Sequence, residues 1–308
     1  MNSMATKRIL VTGGNKGIGL AVCAKLLDEH PETLVLLGSR DTKRGQDAIK
    51  SLEESKASRT GRVSLVQVDV ADKDSVVAAA RLVATTYAND QTHPLYGIMN
   101  NAGIAHGTAS ELFQTNVYGA KFVVDAFLPL LDPEHGRIVN ISSGAATMFV
   151  SACAPEAAKK LFTNPAISWE EISNVLEKVN STPVASRADL SASLGLPPAT
   201  QSMYEYGLSK ACLTAYTLLL AKQYPKLVIN ACTPGFIETD LTLPFTANTG
   251  KSAKEMGMKS PEEGTVAPVR LMMDPTITTS GRYYGSDGLR SPLDRYRSPG
   301  DPEYEGDM

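Results

Sequence analysis

The sequence predicts an α/β fold: a Rossmann-type doubly wound parallel sheet with helices on both faces, and a helical insertion before the helix that begins at Tyr204. Three observations predict it. Short, continuously apolar β-rich segments alternate with helical patterns along most of the chain. A glycine turn joins the first strand to the first helix. Small or polar residues follow the later strands, where doubly wound sheets bind ligands.

The predicted strands are apolar runs bounded by turn residues. They occupy residues 8–12, 33–38, 63–68, 96–100, 137–141 and 227–232, with a last short strand at 282–285. Because helices separate consecutive strands, the strands should be parallel and their crossovers right-handed.

Helical patterns fill the intervals between these strands. Ile18, Val22 and Leu26 form one apolar stripe. Asp41 is the expected N-cap of a helix that carries Leu52 on its apolar face. Further helices are predicted at residues 73–87, 111–131, 204–223 and 261–273.

Residues 148–203 interrupt the alternation. Ser168 and Glu171 have the spacing of a capping box, and an apolar stripe follows, so 168–180 should be an amphipathic helix. Residues 181–201 are rich in Ser, Ala and Pro and should form an extended or loosely structured return. We expect one domain over residues 1–287, with this insertion, and an irregular C-terminal tail over 288–308.

Composition excludes several classes of function. The chain has 308 residues, is 43% hydrophobic, and carries a net charge of -3, so no nucleic-acid or anionic-membrane partner is indicated. No stretch has the length of a membrane span or the form of a signal peptide, and we expect a cytoplasmic protein. The four cysteines are far apart and should be reduced thiols. No metal-ligand spacing is present, so no metal site is expected.

The glycine turn has the features of a phosphate-binding site. Gly13, Gly17 and Gly19 follow the first strand and lead into the first helix. Glycines allow the backbone to approach a ligand closely, and a helix N-terminus presents unpaired N–H groups to a pyrophosphate. A glycine turn without a ligand is the alternative interpretation.

The end of the second strand indicates which nicotinamide cofactor binds. NAD sites place an acidic residue there for the ribose 2′-hydroxyl, whereas a 2′-phosphate requires a cation. Here the strand is followed by Arg40, and Lys16 in the glycine turn can add a second charge. The pattern therefore favours NADP(H).

Other candidate residues lie at strand ends or on the helix after the insertion. Tyr206 and Lys210 are four residues apart, which places them on one helix face, although this spacing also arises by chance. A neighbouring ammonium group favours the ionised form of a phenol. Asn116 is in a helix, where a polar residue is unexpected. Further candidates at strand ends are Asp69, Val70, Asn101, Ala102, Gly103, Ser143, Pro234 and Gly235.

These motifs, in this order, resemble those of the short-chain dehydrogenase/reductase family. They are Thr12-Gly13-x-x-x-Gly17-Ile18-Gly19, Asn100-Asn101-Ala102-Gly103, Asn116, Ser143, Tyr206-x-x-x-Lys210 and Pro234-Gly235. A closer similarity is to the monomeric carbonyl reductase-like branch, through Gly13 to Gly19, Arg40 to Gln46, Ser260 to Gly264 and the long interval between Ser143 and Tyr206. In that branch the insertion covers the helix surface through which other members dimerise, which implies a monomer.

The resemblance implies the following chemistry. Hydride passes between a nicotinamide and a carbonyl carbon, Tyr206 acts as general acid, and Ser143 holds the carbonyl oxygen. Lys210 would lower the pKa of Tyr206, and Asn116 would anchor a water linked to Lys210. Implied cofactor contacts are Gly13, Asn15, Lys16, Gly17, Ile18, Gly19, Arg40, Asp69, Val70, Asn101, Ala102, Gly103, Tyr206, Lys210, Pro234, Gly235, Ile237 and Thr239.

The substrate is expected to be a small ketone, aldehyde or quinone. Candidate pocket residues are Ile104, Met148, Phe149, Tyr204 and Phe236. Two alternatives stay open: a reductase specific to one secondary-metabolite ketone, and a non-enzymatic NADP(H)-sensing regulator on the same fold. Sugar-nucleotide epimerases and dehydratases share Tyr-x-x-x-Lys, but their glycine turn is spaced differently.

Overall fold

The computed structural model describes residues 6–88 and 93–306. Residues 1–5 of the predicted domain and 307–308 of the predicted tail therefore lie outside the described residues. Within them, eight strands form one sheet in the order β3-β2-β1-β4-β5-β6-β7-β8. The first seven strands are parallel, and β8 pairs antiparallel with β7. This is the predicted doubly wound sheet, extended at one edge by an antiparallel strand.

The first seven strands agree with the predicted ones to within one or two residues, whereas β8 lies in the segment 288–308 that was predicted to be irregular. They are β1 Lys7–Val11, β2 Thr33–Ser39, β3 Val63–Gln67, β4 Gly97–Asn100, β5 Arg137–Ile141, β6 Val228–Cys232, β7 Tyr283–Tyr284 and β8 Arg290–Ser291. Strands β4 and β5 are buried at every position. Such strands read as continuous apolar runs because helices cover both faces of the sheet.

Twelve α-helices are present among the described residues. They are α1 Gly17–Glu29, α2 Thr42–Ser55, α3 Lys73–Thr86, α4 Ala109–Phe113, α5 Gly119–Phe127, α6 Gly144–Ser151, α7 Glu156–Thr163, α8 Trp169–Ser181, α9 Arg187–Leu194, α10 Tyr204–Gln223, α11 Leu243–Thr249 and α12 Val266–Met273. The predicted N-cap of α2 is confirmed, since the Asp41 carboxylate accepts a hydrogen bond of 2.9 Å from the Arg44 backbone N–H.

The helix predicted at 111–131 is interrupted. It begins earlier, at Ala109, where Thr108 and Glu111 form a capping box. A π-helical turn, Gln114–Tyr118, separates α4 from α5, and a 3₁₀ turn, Leu128–Leu130, ends the segment. Side-chain periodicity could not predict the π turn, because it adds a residue locally without ending the helix.

The insertion is more helical than predicted. Helix α8 and its Ser168–Glu171 capping box are confirmed. However, the prediction of an extended return over 181–201 is wrong in part, because a 3₁₀ turn, Val184–Ser186, and helix α9 lie there. Helices α6 and α7 were not predicted either. Each of α6, α7 and α9 has only eight residues, too few for a clear periodic pattern.

Helix α10 lies at the centre of one side of the molecule. It packs against α6, α7, α8 and β6. Nearly all of its side chains from Tyr204 to Leu220 are buried, including the polar Ser209 and Lys210. A helix that is buried all round is held rigidly by its neighbours, which fixes the side chains at its first turns.

The structure also bears on the cysteines, on membrane-spanning helices and on metal-binding groups. All four cysteines are free and buried, as predicted. Within residues 6–88 and 93–306, no helix is both long and apolar enough to cross a membrane. In the same ranges, no group of three His, Cys, Asp or Glu residues is arranged to hold a metal ion.

Candidate active site

Tyr206 and Lys210 lie one turn apart at the start of α10 and face the carboxyl ends of β4 and β5. The Lys210 ammonium is 5.8 Å from the centre of the Tyr206 ring. It donates a hydrogen bond of 2.8 Å to the carbonyl of Ile141, the last residue of β5. Both side chains are buried. The helix spacing thus produces the predicted pair.

Ser143 reaches Tyr206 from the loop after β5. Its extended backbone places it at the N-cap of α6, where its hydroxyl accepts a 3.2 Å hydrogen bond from the Ala145 N–H. The same side chain hydrogen-bonds with Tyr206. The neighbouring Ser142 instead bonds to the Lys210 carbonyl and the Thr214 hydroxyl, at 3.1 and 2.8 Å. Ser142 therefore has a structural role, whereas Ser143 faces the cleft.

Burial raises the pKa of Tyr206 above its ordinary value of 10.0, and the hydrogen bond with Ser143 lowers it by a smaller amount. The sequence suggested instead that Lys210 would lower it. The Lys210 ammonium is directed at the Ile141 carbonyl, and desolvation of the phenol dominates. Tyr206 therefore holds its proton at neutral pH, which suits a proton donor.

Burial acts on Lys210 in the opposite direction. It lowers the pKa of the ammonium from 10.5 to about 8, and a smaller effect of Cys232 opposes this. Desolvation disfavours the charged form of either group, so it raises the pKa of a phenol and lowers that of an amine. Lys210 is therefore close to its titration point near neutral pH, as a residue that passes protons should be.

Asn116 lies in the π turn between α4 and α5 and is almost fully buried. Its amide oxygen accepts a hydrogen bond from the Ile104 N–H, and its amide nitrogen donates to the Ile104 carbonyl, both at 2.9 Å. The nitrogen also donates to the Ser209 hydroxyl at 3.0 Å. Asn116 thus ties the loop after β4 to α10. Ser209, which was not predicted from the sequence, is the α10 residue that holds Asn116 in place.

Gly103 lies between Asn116 and Lys210. A Cβ atom at this position would lie 3.2 Å from the Asn116 amide oxygen and 3.4 Å from the Lys210 ammonium. Asn116, Lys210 and the backbone after β4 therefore meet at one point. The predicted residues Asn116, Ser143, Tyr206 and Lys210 all lie around the same end of the cleft.

The glycine turn is built for close backbone approach. Gly13 and Gly17 have positive φ angles of 64° and 53°. A Cβ at Gly19 would collide with the Gly13 carbonyl and the Asn101 amide. Asn101 donates 2.9 and 3.2 Å hydrogen bonds to the carbonyls of Thr12 and Gly13. These contacts fix the turn and account for the placement of Asn101 and Ala102 beside it.

The end of the glycine turn, where helix α1 begins, can bind an anionic ligand. Helix α1 begins at Gly17 without a side-chain cap and without an acidic residue in its first turn. Its first N–H groups and positive dipole end are therefore not neutralised by a local carboxylate. Asn15 and Ile18 lie half-buried in the same turn. This arrangement fits the pyrophosphate of a dinucleotide.

Positive side chains gather near this turn. Arg40 is exposed directly after β2, and Lys16 forms a 2.7 Å ion pair with Asp240 from the loop after β6. The hydrogen bond from Lys16 lowers the pKa of Asp240, and the Arg44 charge lowers it further. Neither Arg44 nor Asp240 was predicted from the sequence to lie at the cofactor site. The Arg40-x-x-x-Arg44 spacing was the available signal, since Arg44 lies in the first turn of α2.

The other predicted contacts line the same edge of the sheet. Asp69 is half-buried, and its carboxylate accepts a 3.0 Å hydrogen bond from the Ala71 N–H. Val70 packs against Gly119. Gly235 has a φ of 100°, and Ile237 beyond it is buried against Gly264. Thr239 packs on Gly17, so the loop after β6 meets the glycine turn directly.

The proposed substrate-pocket residues separate into two groups. Met148 and Phe236 are 50% and 39% exposed, and Ile104 is half-buried. Phe149 and Tyr204 instead lie in the core: their rings are 5.5 Å apart, and the Tyr204 hydroxyl bonds to Ser191 at 2.7 Å. Their assignment to the pocket is corrected on this ground, since both are only 2% exposed. Aromatic residues at these positions fill the space under the insertion.

The family model, the related sequences and the related structure that match this chain are all dehydrogenases or reductases. The family model described as short chain dehydrogenase matches residues 7–165. Short-chain dehydrogenase/reductase 1 of Saponaria officinalis is 30% identical over 91% of this chain and 95% of that protein. Human carbonyl reductase [NADPH] 1 is 32% identical over 86% of this chain and 90% of that protein. The structure of salutaridine reductase from Papaver somniferum is similar with a TM-score of 0.72 and 26% identity, over 90% of this chain and 99% of that chain.

Proposed function

The chain belongs to the short-chain dehydrogenase/reductase family, and from that premise we propose that it is an NADPH-dependent carbonyl reductase. It is an oxidoreductase that acts on CH–OH or C=O groups. The proposed reaction reduces a ketone, aldehyde or quinone to the corresponding alcohol or hydroquinone. The similarity to human carbonyl reductase supports both the cofactor and the direction of reaction.

The contact between Tyr206 and Ser143, with Lys210 on the same helix face, carries this proposal. When bound, NADPH supplies the hydride that is added to the carbonyl carbon. Tyr206 gives its hydroxyl proton to the carbonyl oxygen, which becomes the alcohol oxygen. Ser143 donates a hydrogen bond to that oxygen as negative charge develops on it. Because its pKa is raised, the Tyr206 hydroxyl is still protonated when the substrate binds.

Lys210 and Asn116 support the proton donor. After the transfer, Tyr206 is a phenolate, and the neighbouring Lys210 ammonium stabilises that charge. Because burial lowers the pKa of Lys210 to about 8, Lys210 can pass a proton on near neutral pH. Asn116 fixes the loop after β4 beside Lys210 through its three hydrogen bonds.

The cofactor would be held at the glycine turn and the cations near it. The uncapped start of α1 suits the pyrophosphate, and Gly13, Gly17 and Gly19 leave room for it. Arg40 and Arg44 would hold the 2′-phosphate of NADP(H), with Lys16 as a further positive charge. An NAD site would instead need an acidic residue in the place of Arg40.

Replacing Tyr206 tests the assignment of the general acid. Tyr206→Phe removes the proton donor but keeps the ring, so turnover of every carbonyl should fall by about 10²-fold or more while NADPH still binds. Steady-state NADPH oxidation measures the rate, and fluorescence titration measures cofactor affinity. Tyr216→Phe is the matched control, because its buried hydroxyl on the same helix has no hydrogen-bond partner within residues 6–88 and 93–306. A Tyr206→Phe variant with near-normal turnover would refute the assignment.

Charge reversal at Arg40 tests the cofactor preference. Arg40→Asp should reduce the kcat/KM ratio of NADPH over NADH by about tenfold or more, because it removes a phosphate ligand and adds a repelling carboxylate. Assays with a panel of carbonyls and quinones and both cofactors measure this ratio. Arg81→Asp reverses an exposed charge on α3, away from the cofactor cleft, and should leave it unchanged. A ratio that stays the same in Arg40→Asp would assign the preference to another residue.

A further inference from the structure

The C-terminal segment after β7 returns to the main body of the protein. Residues Arg290 and Ser291 form β8, which pairs with Tyr284 and Tyr283 of β7. Two residues later, Leu293 is buried against Leu218, Ala231 and Tyr283. The segment is therefore attached both to the edge of the sheet and to α10.

Arg297 fixes the position of the next part of the segment. It is 9% exposed, and its guanidinium group forms an ion pair with Asp287. It also donates hydrogen bonds of 3.0 Å to the Ser291 hydroxyl and 2.6 Å to the Asp301 carbonyl. A partly buried, multiply bonded arginine is difficult to displace, because its charge would lose its partners. Residues 291–301 are thus held in one conformation.

This conformation places Tyr296 beside the proposed active site. A Cβ at Gly144 would lie 2.9 and 3.2 Å from two edge carbons of the Tyr296 ring and 3.6 Å from the Met148 methyl group. Gly144 directly follows Ser143. Tyr296 and Met148 are 47% and 50% exposed, so both apolar side chains lie at the cleft with much of their surface uncovered.

We propose that Tyr296 forms one wall of the carbonyl-substrate site beside Ser143, together with Met148, and selects carbonyl compounds that carry an aromatic ring next to the reacting group. This rests on the carbonyl reductase function proposed above. An aromatic ring gains stacking and apolar contact from a half-exposed tyrosine, and a methionine adapts to its shape. A small aliphatic carbonyl compound has no ring to stack on Tyr296 and too little apolar surface to contact Met148. Tyr296 is thus a specificity-determining residue supplied by the C-terminal segment.

Two diketones that differ in one group test this. NADPH oxidation is measured with 1-phenyl-1,2-propanedione and with 2,3-butanedione for the full-length protein, Tyr296→Ala, Tyr296→Phe and Tyr304→Ala. Tyr296→Ala should lower kcat/KM for the phenyl diketone about threefold to tenfold, mainly through KM, and should lower the value for 2,3-butanedione much less, so that the ratio of the two values falls. Tyr296→Phe keeps the ring and should preserve the selectivity. Tyr304 is the matched tail control, since its ring packs on Arg290 and Arg295.

An unchanged ratio in Tyr296→Ala would overturn the proposal. So would an equal loss in Tyr304→Ala, because the effect would then belong to the tail as a whole. If the unaltered protein reduces no carbonyl at all, the proposed function fails separately. Calorimetric binding of the phenyl diketone in the presence of NADP⁺ then decides: weaker binding by Tyr296→Ala supports the wall, and equal or absent binding in both proteins overturns it.

Discussion

Tyr206 and Lys210 respond to the same burial in opposite directions. Desolvation raises the pKa of Tyr206, and it lowers the pKa of Lys210 to about 8. The two shifts place a neutral proton donor beside an ammonium group whose pKa is only about one unit above neutral pH. Groups with shifts of this kind are concentrated at catalytic sites, because proton transfer near pH 7 requires them.

The lowered pKa of Lys210 makes folding stability depend on pH. In the unfolded chain Lys210 keeps its proton up to about pH 10.5, whereas the folded protein releases it near pH 8. Between these values the unfolded state binds more protons, so the contribution of Lys210 to stability rises with pH. Relative to Lys210→Met, the unaltered protein should gain on the order of 3 kcal/mol between pH 7.5 and 10.5.

Urea unfolding of both proteins across this range measures the difference. Comparison with the variant is needed because the buried cysteines act in the other direction: burial raises the pKa of Cys23 and Cys153 to about 12. Their unfolded thiols ionise earlier and destabilise both proteins alike at high pH. A difference in the free energy of unfolding that does not change with pH would contradict the assigned pKa of Lys210.

Ion pairing at the glycine turn links two loops. Lys16 holds Asp240 at 2.7 Å, and Thr239 packs on Gly17. The loop after β6 is therefore in contact with the turn that would bind the cofactor phosphates. Both members of the pair are more than half exposed, so the contact is weak in energy and easily exchanged for a phosphate.

At the level of elements, the π turn positions a site residue. The extra residue in this turn lets Asn116 face inward and bond to both backbone groups of Ile104. Turns of this type occur mostly inside α-helices and frequently at functional sites. The apolar pattern on either side continues as an ordinary helix, which is why the sequence predicted an unbroken one.

Helix α8 depends on its N-terminal cap. The Ser168 hydroxyl accepts a 3.2 Å hydrogen bond from the Glu171 N–H, and the Glu171 carboxylate accepts one of 2.8 Å from the Ser168 N–H. Ser168→Ala removes the first bond and should lower the free energy of unfolding by about 1 kcal/mol. Ser173→Ala, inside the same helix, should be neutral or slightly stabilising, since alanine is the better helix former.

Urea unfolding at neutral pH compares these two serine variants with the unaltered protein. Equal effects of Ser168→Ala and Ser173→Ala would show that the cap does not stabilise α8. Carbonyl reduction should be unaffected in both, because neither serine touches the cleft.

At the level of the whole molecule, the insertion covers one side of the central helices. Trp169 packs edge-on to Tyr118 and Tyr216, with ring centres 5.5 Å away in each case. On α8, Ile172, Leu176 and Val179 are at most 1% exposed. Each such side chain contributes about 1.5–3 kcal/mol by leaving water. The apolar face predicted from the sequence thus has its partner within the same chain.

We expect the protein to be a monomer for this reason. Sedimentation velocity at low micromolar concentration should give a single species near the chain mass of 32.9 kDa. The resemblance to the carbonyl reductase-like branch implies that the insertion covers the helix surface through which other members of the family dimerise. A stable dimer or tetramer at this concentration would contradict the prediction.

Much of the fold could be predicted because its signals are local. Strand runs, helix caps and the glycine turn depend on residues a few positions apart, and the first seven strands and α10 lie within two residues of their predicted bounds. Short helices α6, α7 and α9 were missed, because eight residues give too few repeats of the pattern. Helix α8 was predicted correctly, because it has 13 residues, enough for a clear apolar pattern, and begins with a capping box.

The sequence by itself determined the alternation of strands and helices along the chain, the glycine turn and the one-face spacing of Tyr206 and Lys210. Local periodicity and residue type are sufficient for these. Only the tertiary structure decided which aromatic residues lie in the core, where Phe149 and Tyr204 are, and which lie at the cleft, where Tyr296 is. It also decided the opposite pKa shifts of Tyr206 and Lys210. Burial, which causes both, is set by residues distant in sequence that meet only when the chain folds.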